Sequence, residues 1–240
     1  LQTSHSNNID NYMIAPITKG TYHLYMVDKN QNISDPSVYT ITVTETLSLT
    51  FKPLTLSNLP GDVTQLYPPI LRVTLPIFGY NIIANIIWGD NSIDYNVVPS
   101  QVTHEYNTHS TVMVTVEIIS GVVTEFGKMD WEGVENLLEI RTSNPHTWGL
   151  PQVNKLDYVC HNATLLLSVP IFIPNTVTSL RGLFKNATKF NQYIGDWNTH
   201  NVTDMSGMFE NATHFNQLVQ SWDVSNVTDT SRMFCNAINF

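Results

Sequence analysis

The last third of this 240-residue chain repeats itself every 25 residues. Thr176-Val-Thr-Ser-Leu-Arg-Gly-Leu-Phe-Lys-Asn-Ala-Thr-Lys-Phe-Asn-Gln returns as Asn201-Val-Thr-Asp-Met-Ser-Gly-Met-Phe-Glu-Asn-Ala-Thr-His-Phe-Asn-Gln, and the phrase starts again at Asn226. Phe184, Phe209 and Phe234 keep the register, as do Trp197 and Trp222, and Asn186, Asn211 and Asn236. A constant period of roughly 20–50 residues marks stacked units, none of which buries its apolar face alone. The period therefore predicts a solenoid over residues 128–240. Such arrays usually serve as scaffolds and binding surfaces rather than as catalytic pockets.

Within one unit the apolar residues fall at Val202, Met205, Met208, Phe209, Ala212 and Phe215. The spacing of three and four over the first part predicts a short helical turn, and Phe215-Asn-Gln-Leu-Val predicts a strand. The expected repeat core is Phe184, Phe209, Phe234, Phe190, Phe215, Met205, Met208, Trp197 and Trp222. Asn186, Asn211 and Asn236 should form an inward ladder that caps turn carbonyls and amides, because buried polar groups need partners. A diverged unit, offset by 24, is visible at Leu156-Asp-Tyr-Val-Cys-His-Asn-Ala-Thr. Before it, Trp131-Glu-Gly-Val-Glu-Asn-Leu-Leu-Glu-Ile reads as a lead-in strand, since the end of an array must cap its core.

Two further segments precede the array. Residues 1–45 hold Gly20-Thr-Tyr-His-Leu-Tyr-Met-Val and Ser37-Val-Tyr-Thr-Ile-Thr-Val-Thr, two alternating runs separated by a polar stretch. That is a hairpin pattern. Asp28, Asn30 and Asn32 imitate the start of a calcium loop, but Ile33 stands where its glycine should be and Tyr39 where its glutamate should be. The stretch reads as a solvated turn. Residues 46–127 give short strands at Leu47–Phe51, Ile70–Leu75, Ile82–Trp88, Ile93–Val98 and Val112–Ile119, with turn-rich punctuation, which suggests a β-sandwich.

Trp88-Gly-Asp-Asn-Ser, His104-Glu-Tyr and Ser110-Thr-Val-Met-Val-Thr-Val resemble the PKD domain, an Ig-like sandwich. Asn91 replaces the turn glycine of that family, a mild change because Asn tolerates positive φ. Residues 1–45 resemble the last two strands of an Ig-like or fibronectin-like module. The pattern V-T-x-M-x-x-M-F-x-N-A-x-x-F-N-Q over about residues 150–240 resembles the BspA-like leucine-rich-repeat family. These resemblances imply a mainly β protein in which a PKD-like sandwich runs into a leucine-rich-repeat solenoid. They imply adhesion or structural display at a surface, and they carry no catalytic residue or cofactor.

Charged residues make up 13% of the chain, about half the usual ~25%, and net charge is −9 without a Lys/Arg cluster. Nucleic acid is therefore not an expected partner. No apolar run reaches the ~18 residues of a membrane span, and the chain reads as a fragment of a longer protein. Cys160 and Cys235 stand about three units apart. At ~4.8 Å per unit that is roughly 14 Å, beyond the ~7 Å Cα limit for a disulfide, so two free thiols are expected, the first buried. No histidine has metal-ligand spacing, and Asp90 reads as a turn-stabilising side chain rather than an acid catalyst.

The expected function is a non-enzymatic surface protein, extracellular or on a cell surface, meeting a protein or glycan partner or neighbouring subunits. One rival reading is a structural component of a virus particle or filament. Another is a carbohydrate-binding accessory module of a secreted enzyme. Asn-x-Ser/Thr triplets occur at Asn32, Asn162, Asn186, Asn201, Asn211 and Asn226. Repetition alone would generate those of the array, yet Asn32, Asn201 and Asn226 remain candidate glycosylation sites. Intact mass with and without a glycosidase separates the two readings: an unchanged mass is expected from repetition alone, and any sugar belongs at Asn201 or Asn226 before the Asn-Ala-Thr sites.

Overall fold

The structure is a computed structural model that describes residues 20–23, 40–43, 46–53, 70–108, 110–144, 148–150 and 152–240. Asn32 and the rest of the Asp28–Asn32 stretch lie outside the described residues. The chain divides into two compact units, Leu1–Glu45 and Thr46–Phe240. In the first, strands β1 (Gly20–His23) and β2 (Thr40–Val43) pair antiparallel, with Gly20 opposite Val43 and His23 opposite Thr40.

The second unit is built on β3 (Thr46–Phe51), β4 (Ile70–Thr74), β5 (Ile77–Ile87), β6 (Ile93–Val97), β7 (Thr103–Asn107), β8 (Val112–Phe126) and β9 (Leu137–Thr142). Antiparallel pairing orders five of them β6-β5-β8-β3-β9, and β4 pairs with β7 in a sheet of two. Alternation puts one face inward, as in sheets packed on one side. Leu47, Leu49 and Phe51 of β3 are buried with Val112, Val114 and Val116 of β8 and Ile82, Ala84 and Ile86 of β5. Across this core Tyr106 on β7 donates its hydroxyl to the Trp88 carbonyl at 2.7 Å, and the two rings meet edge to face. The His104-Glu-Tyr segment is thus a strand, a role its short polar-apolar alternation did not announce.

β5 and β8 extend well past their expected bounds of Ile82–Trp88 and Val112–Ile119. Their pairing slips at Phe78/Gly79, Tyr80/Ile83 and Ile83/Ala84. Bulges of this kind bend and twist a strand, and beyond them β8 carries Val123 and Phe126 back into the core. There β8, still paired with β5 on one edge, takes the array as its neighbour on the edge that β3 lined earlier. Asn154 and Lys155 donate their amides to the Thr124 carbonyl at 2.9 and 3.2 Å, and the Phe126 amide donates to Lys155. Glu125 and Lys155 form a parallel bridge, which continues as Lys155–Ser179, Ser179–Asp204 and Asp204–Asp229.

The lead-in strand expected over 131–140 begins later and serves another sheet. Val134–Asn136 is a single 3-10 turn after Gly133, and β9 is the edge of the five-stranded sheet beside β3. It still meets the array: Leu167 donates to the Leu138 carbonyl at 2.9 Å, and Ile140 to Ser168 at 3.0 Å. Two tryptophans bind the junction. Trp131 donates its indole N–H to the Val159 carbonyl at 2.8 Å, and Trp148 donates to Phe172 at 2.7 Å. The apolar core is accordingly continuous from Leu47 to Trp222.

Gly127 marks the place where β8 leaves for the array, with φ of +119° and Pro76 accepting its amide at 2.8 Å. A Cβ there would collide with the Asp157 carbonyl and sit 2.8 Å from the Val159 amide. Gly207 also has positive φ, but a Cβ on it would approach nothing nearer than Glu210 Oε2 at 3.4 Å. Gly127→Ala is therefore expected to cost about 2–4 kcal/mol in urea unfolding, left-handed strain plus overpacking. Gly207→Ala should cost only the strain, about 1–2 kcal/mol.

Candidate functional site

The array is the part of the molecule with the most regular chemistry. The helical turn expected at Val202–Met208 is replaced by a spiral with two left-handed residues. φ is positive at Gly182 and Asn186, at Gly207 and Asn211, and at Arg232 and Asn236. Tyr158 and Asn162 repeat the pattern in the diverged unit. A right-handed helix cannot pass through such residues. Instead amide donors alternate. Leu183, Lys185 and Ala187 bond within their own turn, whereas Gly182, Phe184 and Asn186 donate to Ser206, Met208 and Glu210 of the next unit.

The strand expected at Phe215–Val219 is not formed either, and the parallel bridges lie at Ser179, Asp204 and Asp229 instead. On the Phe-Asn-Gln side, side-chain amides replace a backbone ladder. Gln192 accepts from the Val169 amide at 2.7 Å and donates to the Val169 carbonyl at 3.0 Å. Asn191 Oδ1 accepts from the amide of Asn216 and from Gln217 Nε2. Gln192 thus bonds the backbone of the unit before it, whereas Gln217 bonds the Asn191 side chain.

The aromatic core stacks in register. Phe184, Phe209 and Phe234 lie 5.5 and 5.3 Å apart, and Phe190 and Phe215 lie 6.0 Å apart with parallel rings. Trp197 stacks on Trp222 at 6.4 Å, and both indoles donate to backbone carbonyls, of Pro170 and Ile194. Met205 and Met208 are fully buried and Phe234 is half-buried. Ring pairs of this kind contribute ~0.5–1.5 kcal/mol each beyond area burial.

The asparagines form a ladder, but with each other rather than with turn carbonyls. Asn236 Nδ2 donates to Asn211 Oδ1 at 2.8 Å, Asn211 to Asn186 at 2.7 Å, and Asn186 to Asn162 at 2.7 Å. Asn162 Nδ2 then donates to Asp130 Oδ1 at 2.6 Å. The chain of amides thus runs one way and ends on a carboxylate outside the repeat. Asp130 breaks no pattern and lies outside the period, so nothing in the sequence singled it out.

Beside the ladder runs a column at one repeat position: His161, Lys185, Glu210 and Cys235. Glu210 is 7% exposed at its side chain, with Lys185 Nζ at 2.9 Å on one oxygen and the Arg232 guanidinium on the other. The Arg232 hydrogen bonds, helped by Lys185, outweigh burial and hold its carboxyl down at about 2. Both cysteines are free thiols. Cys160 is buried, and burial pushes its thiol far above the ordinary range, which makes it unreactive.

Outside the array, Asp90 accepts from the Ser92 amide at 3.1 Å and hydroxyl at 2.5 Å, the turn-stabilising role its position suggested. His104 Nε2 lies 2.7 Å from the other Asp90 oxygen while its ring stacks on Trp88. Burial acts to raise the Asp90 pKa, but these hydrogen bonds hold it at about 2. His200 and His214 are exposed, with His200 Nδ1 2.8 Å from Asp223. Asn201 and Asn226 are also exposed, and each donates Nδ2 to a carbonyl of the preceding unit at 2.7 Å, of Asn175 and His200 respectively. Among the described residues no helix is long and apolar enough to cross a membrane, and no group of three or more His, Cys, Asp and Glu is placed to hold a metal.

Residues 154–240 match a family described as "Mycoplasma protein of unknown function, DUF285". The match begins one residue before Lys155, where the parallel column of the array starts. No curated protein and no solved structure matches the chain.

Asn211 combines both tasks of its position, φ of +60° and a rung of the ladder. Asn211→Ala should lose both. Asn211→Gly keeps the left-handed backbone at ease and loses only the rung. The alanine variant is expected to be the less stable by about 1–2 kcal/mol in urea unfolding, a comparison that isolates the backbone contribution.

Proposed function

We propose that this chain is a non-enzymatic surface protein that displays a repeat array on β-sandwich spacers for contact with a protein or host surface. In this reading residues 150–240 are a BspA-like leucine-rich array and residues 46–127 a PKD-like sandwich. The observation that carries the reading is where the repeated side chains go. Phenylalanine, tryptophan, methionine and asparagine columns are spent on holding units together, while some positions that vary between units, Tyr193 and Leu218 among them, face outward. An array built so can change its exposed residues without changing its stack.

The outward positions include Tyr193 and Leu218, one period apart, at 48% and 68% exposure. They are the first places to look for contact. Trp197 is 2% exposed inside its column, which weighs against a sugar-stacking platform there and so against the carbohydrate-module reading. Beads coated with the protein are expected to adhere to host cells. The double variant Tyr193→Ser, Leu218→Ser should reduce adhesion at least threefold with an unchanged unfolding midpoint. Binding on a glycan array that depends on Tyr193, with no adhesion to cells, would favour the carbohydrate module instead.

A further inference from the structure

His161 stands at the root of the asparagine ladder, 5% exposed, where the sheet unit meets the first turn of the array. Its Nδ1 is buried and has no aligned hydrogen bond, although Asp130 Oδ1 lies 3.2 Å away. That oxygen is already the acceptor at the end of the ladder. On the other side of the ring, Nε2 lies 3.5 Å from Asn186 Nδ2. Asn186 has two amide protons. One goes to Asn162 Oδ1 at 2.7 Å, and the other faces His161 Nε2. Asn186 Oδ1 is taken by Asn211. The amide cannot flip without breaking both neighbouring rungs, so Nε2 must stay an acceptor and the proton of the neutral ring must sit on Nδ1.

We propose that His161 is a proton-sensitive lock on the array. Neutral, it accepts the spare proton of Asn186. Protonated, it sets N–H against N–H and loosens the ladder at its root on Asp130. The charged groups facing the ring are Asp130 from the turn before β9, and Lys185 and Glu210 from the next two units. Tyr158 of its own turn meets it edge to face at 5.8 Å. Lys185 and Glu210 are paired with each other, which leaves Asp130 as the main counter-charge, and Asp130 is more than half exposed. Burial favours the neutral ring and moves its titration below the ordinary value of 6.5, with Lys185 acting in the same direction against Asp130 and Glu210.

The sign follows. A pKa depressed in the folded state means that the unfolded chain binds the proton more readily. Stability from this group is complete above pH 6.5 and is lost as pH falls through the folded value. The loss should be felt first at the amides of Cys160, Asn162 and Asn186, which donate to Leu183, Lys185 and Glu210. The proposal goes beyond the surface-protein reading and stands or falls independently of it.

The test uses the full chain. Hydrogen exchange at those three amides, corrected for intrinsic rates, is followed from pH 7.5 to pH 5. His161→Gln is the partner variant, since its Oε1 can accept from Asn186 but does not titrate. Protection in the native chain is expected to fall at least tenfold more than in His161→Gln. An equal fall in both would overturn the proposal. Nitrogen NMR of the native chain gives a second reading should the variant not fold. The ring is expected to carry its proton on Nδ1 at pH 7.5, and the Asn186 side-chain amide to shift as His161 titrates. A proton on Nε2 at pH 7.5, or an Asn186 amide indifferent to that titration, would sink it.

Discussion

Each turn of the array gives half of its amide protons to the unit that follows, and so no unit is complete by itself. This constraint organises the molecule. Alternate donors can point along the stack only because two residues in each turn take positive φ, at Gly182 and Asn186 and their counterparts. A regular helix at the same place would have turned its interior amides along its own axis rather than toward the next unit. The sheet supplies the first neighbour: Thr124 accepts from Asn154 and Lys155, and Phe126 donates to Lys155. An antiparallel sheet thus becomes the template for a parallel stack, and one core runs through both.

The side chains repeat because the backbone does. A residue with left-handed φ favours Gly or Asn, and Asn adds an amide that can bond to its copy one unit away. The same arithmetic governs the rings, since Phe184 must fill the space left by Phe209 and Phe234. Charge enters beside this ladder as a buried carboxylate, Glu210, held between Lys185 and Arg232. Arg232 accepts a left-handed conformation that its side chain disfavours while its guanidinium serves that ion pair. We have no further account of why the unit from Asn226 onward has Arg where the two before it have Gly.

Much of this was legible in the chain. The period gave the units, their aromatic columns and the asparagine ladder, because a side chain that stacks on its copy must recur at a fixed offset. The strands of the sheet unit showed in their alternation, though β5 and β8 run further than the pattern suggested. Bulges rotate their faces and erase the alternation at Gly79–Ile83 and Ile118–Gly121. The turn and strand expected inside the unit were misread because spacing of three and four does not distinguish a helix from a spiral interrupted by left-handed residues. Gln192 could have been found from its recurrence at Gln217.

Sequence alone determined that the chain repeats at a fixed period and that its phenylalanines and tryptophans stack on their copies, since a side chain that stacks must recur at a fixed offset. The asparagines, expected inward, lie half-exposed to exposed. Only the tertiary structure decided what the ladder rests on. Asp130, Trp131 and β9 belong to no period, and His161 shares a repeat position with Lys185, Glu210 and Cys235 but not a residue type. Their partners lie across the joint, and each is chosen by one neighbour in space rather than by a copy of itself.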